Sequence, residues 1–143
     1  MENLTAHSSI DIDAPVDKVW EALIKPEKIK KYMFGTDVVS DWKEGSKIIW
    51  KGEWNGKKYE DKGVILDLKP EKLLRYSHFS PLAGHPDKEE NYHTVTVELK
   101  AQGGGTKVTL SQDKNRTEEE MEHSEKNWQM MLEGLKKLLE NPY

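Results

Sequence analysis

The sequence predicts an α+β fold, an antiparallel sheet of about six to seven strands with two short helices after the first strand and a long C-terminal helix. Three observations predict it. Between Asp37 and Asp113, apolar and polar residues alternate with period two, and Glu44-Gly45, Asn55-Gly56, Lys69-Pro70-Glu71 and Gly103-Gly104-Gly105 break the alternation as turns. Val16, Val19, Trp20 and Leu23 recur at helical spacing near the start. A second, longer helical stripe runs through Met121, Trp128, Met131, Leu132, Leu135, Leu138 and Leu139.

In chain order, Ile10 and Ile12 share a face of a first strand over residues 5–13. Ala14-Pro15 opens a helix to about residue 24, with Pro15 at the first helical position, where a missing N–H costs nothing. Pro26 starts a second helix to about Tyr32 that presents Ile29 and Tyr32 or Met33, and Gly35 ends it. Strands follow over 37–42, 46–54, 57–68, 73–80, 92–101 and 106–113. Their expected inner faces are Ile48, Trp50, Gly52 and Trp54; then Val64, Leu66 and Leu68; then Leu74, Tyr76 and His78. Val95, Val97 and Leu99, and then Val108, Leu110 and Gln112, complete that face. Such one-sided alternation describes a sheet with one wet face. Asn55-Gly56 suits a type I′ hairpin, because both central residues need positive φ. Residues 81–91 form a long polar loop, a candidate lid or rim. Thr117 and Glu120 make a capping box for the last helix, and Glu118–Glu120 favour its N-terminal dipole.

Composition narrows function. The 143 residues fit one domain, 1–143. Cysteine is absent, which excludes disulfides, thiolate catalysis and cysteine-ligated metal. Lys+Arg (22) and Asp+Glu (26) are interspersed at net charge −4, which argues against nucleic acid as a partner. No apolar run approaches the ~18 residues of a membrane span, so no membrane insertion is expected. The N-terminal residues lack an apolar signal region, and a cytoplasmic location is expected.

The segments Ala14–Trp20, Gly63–His78 (GVILDLKPEKLLRYSH) and Asn127–Glu140 (NWQMMLEGLKKLLE), in this element order, resemble the START-like superfamily (SRPBCC, helix-grip). Within it the chain most resembles the family of activator of heat-shock protein 90 ATPase homologues. The resemblance implies a curved sheet gripping the long helix, with a cavity between them that binds apolar molecules in many relatives. It does not specify a function, because one scaffold hosts many.

Candidate ligand-binding residues follow: Trp50, Trp54, Leu66, Tyr76, His78, His93, Val95, Gln112, Ser124, Trp128, Met131 and Leu132. The aromatic members suit a pocket wall, since small-molecule sites are mostly apolar with few polar anchors. The closing helix is polar from Glu122 through Asn127, which fits either a cavity mouth at Met121–Trp128 or an overhang beyond the sheet. His78 and His93 fall nearly opposite each other if their strands pair, but no third ligand accompanies them and no metal is assigned. No nucleophile elbow, phosphate loop or dinucleotide fingerprint occurs, so no catalytic residue and no cofactor are assigned. Of Glu53, Glu60, Asp61 and Asp67, one facing inward would be a candidate general base, and alternation puts Asp67 on the wet face. Gly134, inside a good helix, points to close approach of another backbone or ring. The expected function is binding of a small hydrophobic or amphipathic molecule. The alternative is a protein-interaction module stimulating a chaperone ATPase of the heat-shock protein 90 type. Open sheet edges allow a monomer or a weak homodimer.

Overall fold

The structure is a computed structural model that describes residues 4–33, 35–54, 56–81, 84 and 86–140, the side chain of Trp54 excepted. Its elements are β1 (Leu4–Ile12), α1 (Val16–Ile24), α2 (Pro26–Tyr32), β2 (Asp37–Ser40), β3 (Lys47–Trp54) and β4 (Lys57–Lys69). Then come β5 (Leu73–His78), β6 (His93–Gln102), β7 (Gly105–Asn115) and α3 (Glu118–Glu140), with a 3₁₀ turn at Glu89–Asn91 between β5 and β6. Asn55, and with it the expected type I′ turn, lies outside the described residues.

All seven strands form one curved antiparallel sheet in the order β1-β7-β6-β5-β4-β3-β2. From β2 to β7 each strand pairs with its sequence neighbour. β1 instead pairs with β7, Ile12 opposite Thr106 and Ser8 opposite Leu110. The α1–α2 segment therefore carries the chain from one edge of the sheet to the other. This is the α+β helix-grip architecture, with α3 laid across the concave side.

Local chemistry accounts for the helix ends. Pro15 stands one position earlier than expected, at the N-cap of α1, where its carbonyl accepts from Lys18 N at 3.0 Å and Val19 N at 3.2 Å. At α3, Thr117 Oγ1 accepts from Glu120 N at 3.0 Å. Glu120 Oε2 reaches back one residue further than in the usual box, accepting from Arg116 N at 2.8 Å.

The core lies between the sheet and the helices. Val19, Ile48, Ile65, Val95, Val108, Leu110, Leu132 and Leu135 are almost wholly removed from water. Polar ties fasten α3 to β1. Ser8 Oγ donates to Glu125 O (3.1 Å), His7 N to Glu125 Oε2 (2.9 Å), and Lys136 Nζ to Asp11 O (2.7 Å). Among the described residues no helix is long and apolar enough to cross a membrane.

Two strand assignments change. β2 ends at Ser40, short of the expected Trp42. Trp42 has φ 55°, a left-handed conformation rare for a large aromatic, and its N–H donates to Ser40 Oγ at 3.0 Å. In β4 the expected inner face of Val64, Leu66 and Leu68 is wrong for Val64 and Leu66. The register shifts between Ile65 and Asp67, the mark of a β-bulge. Before the bulge, Tyr59, Asp61, Gly63 and Ile65 share the inner face through their pairing with Gly52, Trp50 and Ile48 of β3 and Tyr76 of β5. After it Leu68 returns inward opposite Leu74, and Leu66 is left 43% exposed. Leu66 is thus no part of an inner site.

Candidate functional site

Two adjoining spaces lie on the concave side of the sheet. The inner one is a void of about 40 Å³ among Leu23, Ile29, Tyr32, Trp42, Trp50, Tyr76, Trp128, Met131 and their neighbours. That volume is little more than one water molecule's share of liquid. Aromatic packing fills the remainder, with the Trp50 and Tyr76 rings 5.1 Å apart at 50°. Burial pushes the hydroxyl pKa of Tyr32 and of Tyr76 far above the ordinary tyrosine value. Tyr32 donates to Ala22 O at 2.8 Å.

Met33, Trp128 and Met131 belong to both spaces and separate them. On their far side is an open cleft of about 430 Å³, bounded also by Thr36, Glu53, Tyr59, Asp61, His78, Ser80, Gln112 and Asn127. Its size and its apolar wall with a few polar groups suit a small organic molecule. A groove of about 750 Å³ outside Pro70, Lys72, Arg75, Glu98 and Lys100 is larger, but its lining is strongly charged and, among the described residues, contains no aromatic ring, so the cleft is the better candidate.

The cleft's hydrogen bonds have definite directions. Thr36 Oγ1 lies 2.6 Å from Met33 O and 2.6 Å from Tyr59 Oη. A carbonyl only accepts, so the threonine proton goes to Met33 and Tyr59 donates to Thr36. The Tyr59 oxygen is left with acceptor lone pairs. Trp128 Nε1 donates to Gln112 Oε1 at 2.6 Å. His78 Nε2 lies 2.9 Å from Asp61 Oδ2, and since a carboxylate only accepts, the imidazole donates there. The other oxygen, Asp61 Oδ1, is buried and has no hydrogen-bond partner among the described residues. The Trp50 ring meets the His78 ring edge-on, with centroids 4.9 Å apart.

The candidate residues divide accordingly. His78, Gln112, Trp128 and Met131 line the cleft, and Trp50, Tyr76, Trp128 and Met131 line the inner void. Val95 and Leu132 are core residues at 1% and 0% exposure. His93 pairs with His78 in register, but its Nδ1 contacts Asp113 O at 2.8 Å while His78 turns to Asp61. Ser124 Oγ donates to Asn115 Oδ1 at 3.0 Å. Asn115, fully buried, donates in turn to Leu4 O and Gln112 O, so Ser124 ties the helix to β7. The side chain of Trp54 lies outside the described residues.

Of the four acidic residues Glu53, Glu60, Asp61 and Asp67, Glu53 and Asp61 border the cleft, and Asp61 is the largely buried one. Its cross-strand partner Trp50 was the available signal. Met33 was signalled only as an alternative to Tyr32 on the second helix, and Thr36 and Tyr59 had no comparable signal. Asp67 lies on the outer face, paired to Arg75 at 2.9 Å. The loop after β5 is fastened to the outer face through its described residues. Asp87 forms an ion pair with Lys62 and accepts from Tyr92 Oη at 2.6 Å, and Tyr92 stacks on Phe79.

Comparisons with known proteins agree with this architecture. ChR145 from Cytophaga hutchinsonii, solved in solution, is 62% identical, covering 99% of this chain and 98% of that one with TM-score 0.87. The solution structure of the Aha1 dimer from Colwellia psychrerythraea (22% identity, 96% and 97% coverage, TM-score 0.75) shares the fold. So does CalU16 from Micromonospora echinospora (23% identity, 96% and 82% coverage, TM-score 0.70). A search of curated proteins gives no significant match. The model of the family described as "Activator of Hsp90 ATPase homolog 1-like protein" matches residues 13–140. With nearly all of the helix-grip scaffold inside that match, the chain belongs to the activator of Hsp90 ATPase homolog 1-like family.

Proposed function

We propose that this protein binds a small hydrophobic or amphipathic molecule between the sheet and α3. The supporting observation is the cleft of about 430 Å³, in which Met33, Trp128 and Met131 form an apolar wall facing Tyr59, Asp61 and His78. The inner void, at about 40 Å³, is too small for such a ligand, so the apolar part rests in the cleft against that wall.

The test is a thermal-shift screen against lipids, flavonoids, polyketides and fatty acids. A ligand at a hundred times its Kd adds about 2.7 kcal/mol of stability, a shift of several degrees for a domain this size. A hit that weakens on Trp128→Ala supports the cleft. A flat panel with responding controls counts against ligand binding.

The family match favours a second reading, a chaperone-directed interaction module acting through an outer surface. Stimulation of a heat-shock protein 90 type ATPase by the purified protein, unchanged in Trp128→Ala, would support it over the cleft.

A further inference from the structure

We infer that the cleft selects molecules presenting a hydrogen-bond donor, a hydroxyl or an amine, on an apolar body, and that Asp61 with His78 is the anchor for that donor. The inference rests on the ligand-binding reading above and specifies its chemistry.

Asp61 side-chain exposure is 16% and that of His78 is 28%. One carboxylate oxygen accepts from His78, and the other, buried beside the cleft, accepts from nothing among the described residues. Buried polar atoms are nearly always paired, and an orphaned charged acceptor is among the costliest exceptions. Only an N–H or O–H can complete it. The neighbouring groups have the same polarity. Tyr59 has spent its proton on Thr36, so its oxygen also offers lone pairs. A neutral His78 that donates through Nε2 shows an acceptor at Nδ1.

Charge points the same way. Among the described residues, the ionisable side chains lining the cleft are Glu53, Tyr59, Asp61 and His78, with no lysine or arginine. A carboxylate headgroup would meet two acidic side chains and no fixed cation. The apolar wall supplies the rest of the match, since Met33 and Met131 adapt to varied shapes and Trp128 gives a flat face. Alcohols, phenols and amines fit this site, whereas fatty-acid-like anions do not.

Three probes of similar shape separate the terms: 2-naphthol, 2-methoxynaphthalene and 2-naphthoate, titrated into the full chain and followed by amide NMR shifts. The expected result is 2-naphthol binding about tenfold tighter than its methyl ether, with 2-naphthoate weakest, as a charge-assisted hydrogen bond implies. Asp61→Asn should reduce the naphthol preference over the ether to under about threefold. The wild-type comparison needs no variant, so a folding defect in Asp61→Asn leaves the test intact. Equal binding of naphthol and ether, both weakened by Trp128→Ala, would overturn the anchor and keep the cleft. Tightest binding by naphthoate would overturn the anchor. Failure of all three to bind would also overturn it, and the broader screen would then decide separately whether the cleft binds anything.

Discussion

Trp128 of α3 donates its indole N–H to Gln112 Oε1 of β7 at 2.6 Å. The contact fixes the ring where it divides the inner void from the outer cleft, since Trp128 lines both. Replacing it by alanine should merge the two spaces and strand the Gln112 carbonyl. For a half-buried indole the expected loss is about 2 kcal/mol in urea unfolding. Trp128→Phe keeps the wall and loses the hydrogen bond, so its loss should be no more than about 1 kcal/mol. Equal losses in the two variants would show that the ring does not act as a partition.

Gly134 and Gly63 should respond in opposite directions to alanine. A Cβ on Gly134 would sit 3.5 Å from Tyr32 Cβ and Tyr32 O, ordinary contact, so α2 approaches closely but leaves room for a methyl. Gly134→Ala should stabilise α3 by up to about 1 kcal/mol through helix propensity. A Cβ on Gly63 would lie 1.7 Å from Ser77 O, which only a displacement of β5 could relieve. Gly63→Ala should cost at least about 3 kcal/mol or prevent folding. Thermal melts of the pair check both signs.

Alkaline pH should unfold the protein through Tyr32 and Tyr76. Burial raises both hydroxyl pKa values in the folded state, so their contribution is complete below the unfolded value of about 10 and falls as pH rises beyond it. Each ring should remove about 1.4 kcal/mol per pH unit there. Tyrosinate absorbance and circular dichroism should therefore change together for these two rings, and Tyr32→Phe should reduce the slope. Ionisation of both rings with the fold intact would contradict their burial.

Acid should release the loop after β5. Hydrogen bonding to Lys62 and to Tyr92 holds the Asp87 carboxyl below the ordinary carboxylate range, and the same partner Asp87 raises Lys62. The Asp87 contribution is therefore present above the ordinary carboxylate value and lost as pH falls through the lowered one. The Lys62 contribution is full below the ordinary lysine value and lost only above its raised one. Amide exchange at Lys88–Asn91 should be flat through neutral pH and increase, after correction for intrinsic rates, only at strongly acid and strongly alkaline ends. Both groups are solvent-exposed, so global stability should barely change. An exchange profile that Asp87→Asn leaves unaltered would count against this tether.

The element order, both short helices, the seven strands and the long helix were legible because each depends on local periodicity, turn residues and caps. The inward faces of β3, β5, β6 and β7 followed from simple alternation, and so did the pairing of His78 with His93. Trp50, Tyr76, His78, Gln112, Trp128 and Met131 were legible as inward residues for that reason. The polar run in α3 was visible, but its two readings could not be separated. Ser124 and Glu125 bind Asn115, His7 and Ser8, partners more than a hundred residues away in two of the three contacts.

Sequence by itself thus determined what each segment is and, in regular strands, which side chains share a face, because both are properties of neighbouring residues. Only the tertiary structure decided the polarity of the cleft. Leu66 looked like an inner residue and Asp61 an ambiguous one. The bulge after Ile65 reverses the alternation of β4, sending Leu66 out, while pairing with β3 had already set Asp61 inward opposite Trp50. A bulge is a mismatch between two paired strands. The inward face of β4, Asp61 included, is therefore fixed by its pairing with β3 and β5 and not by its own alternation.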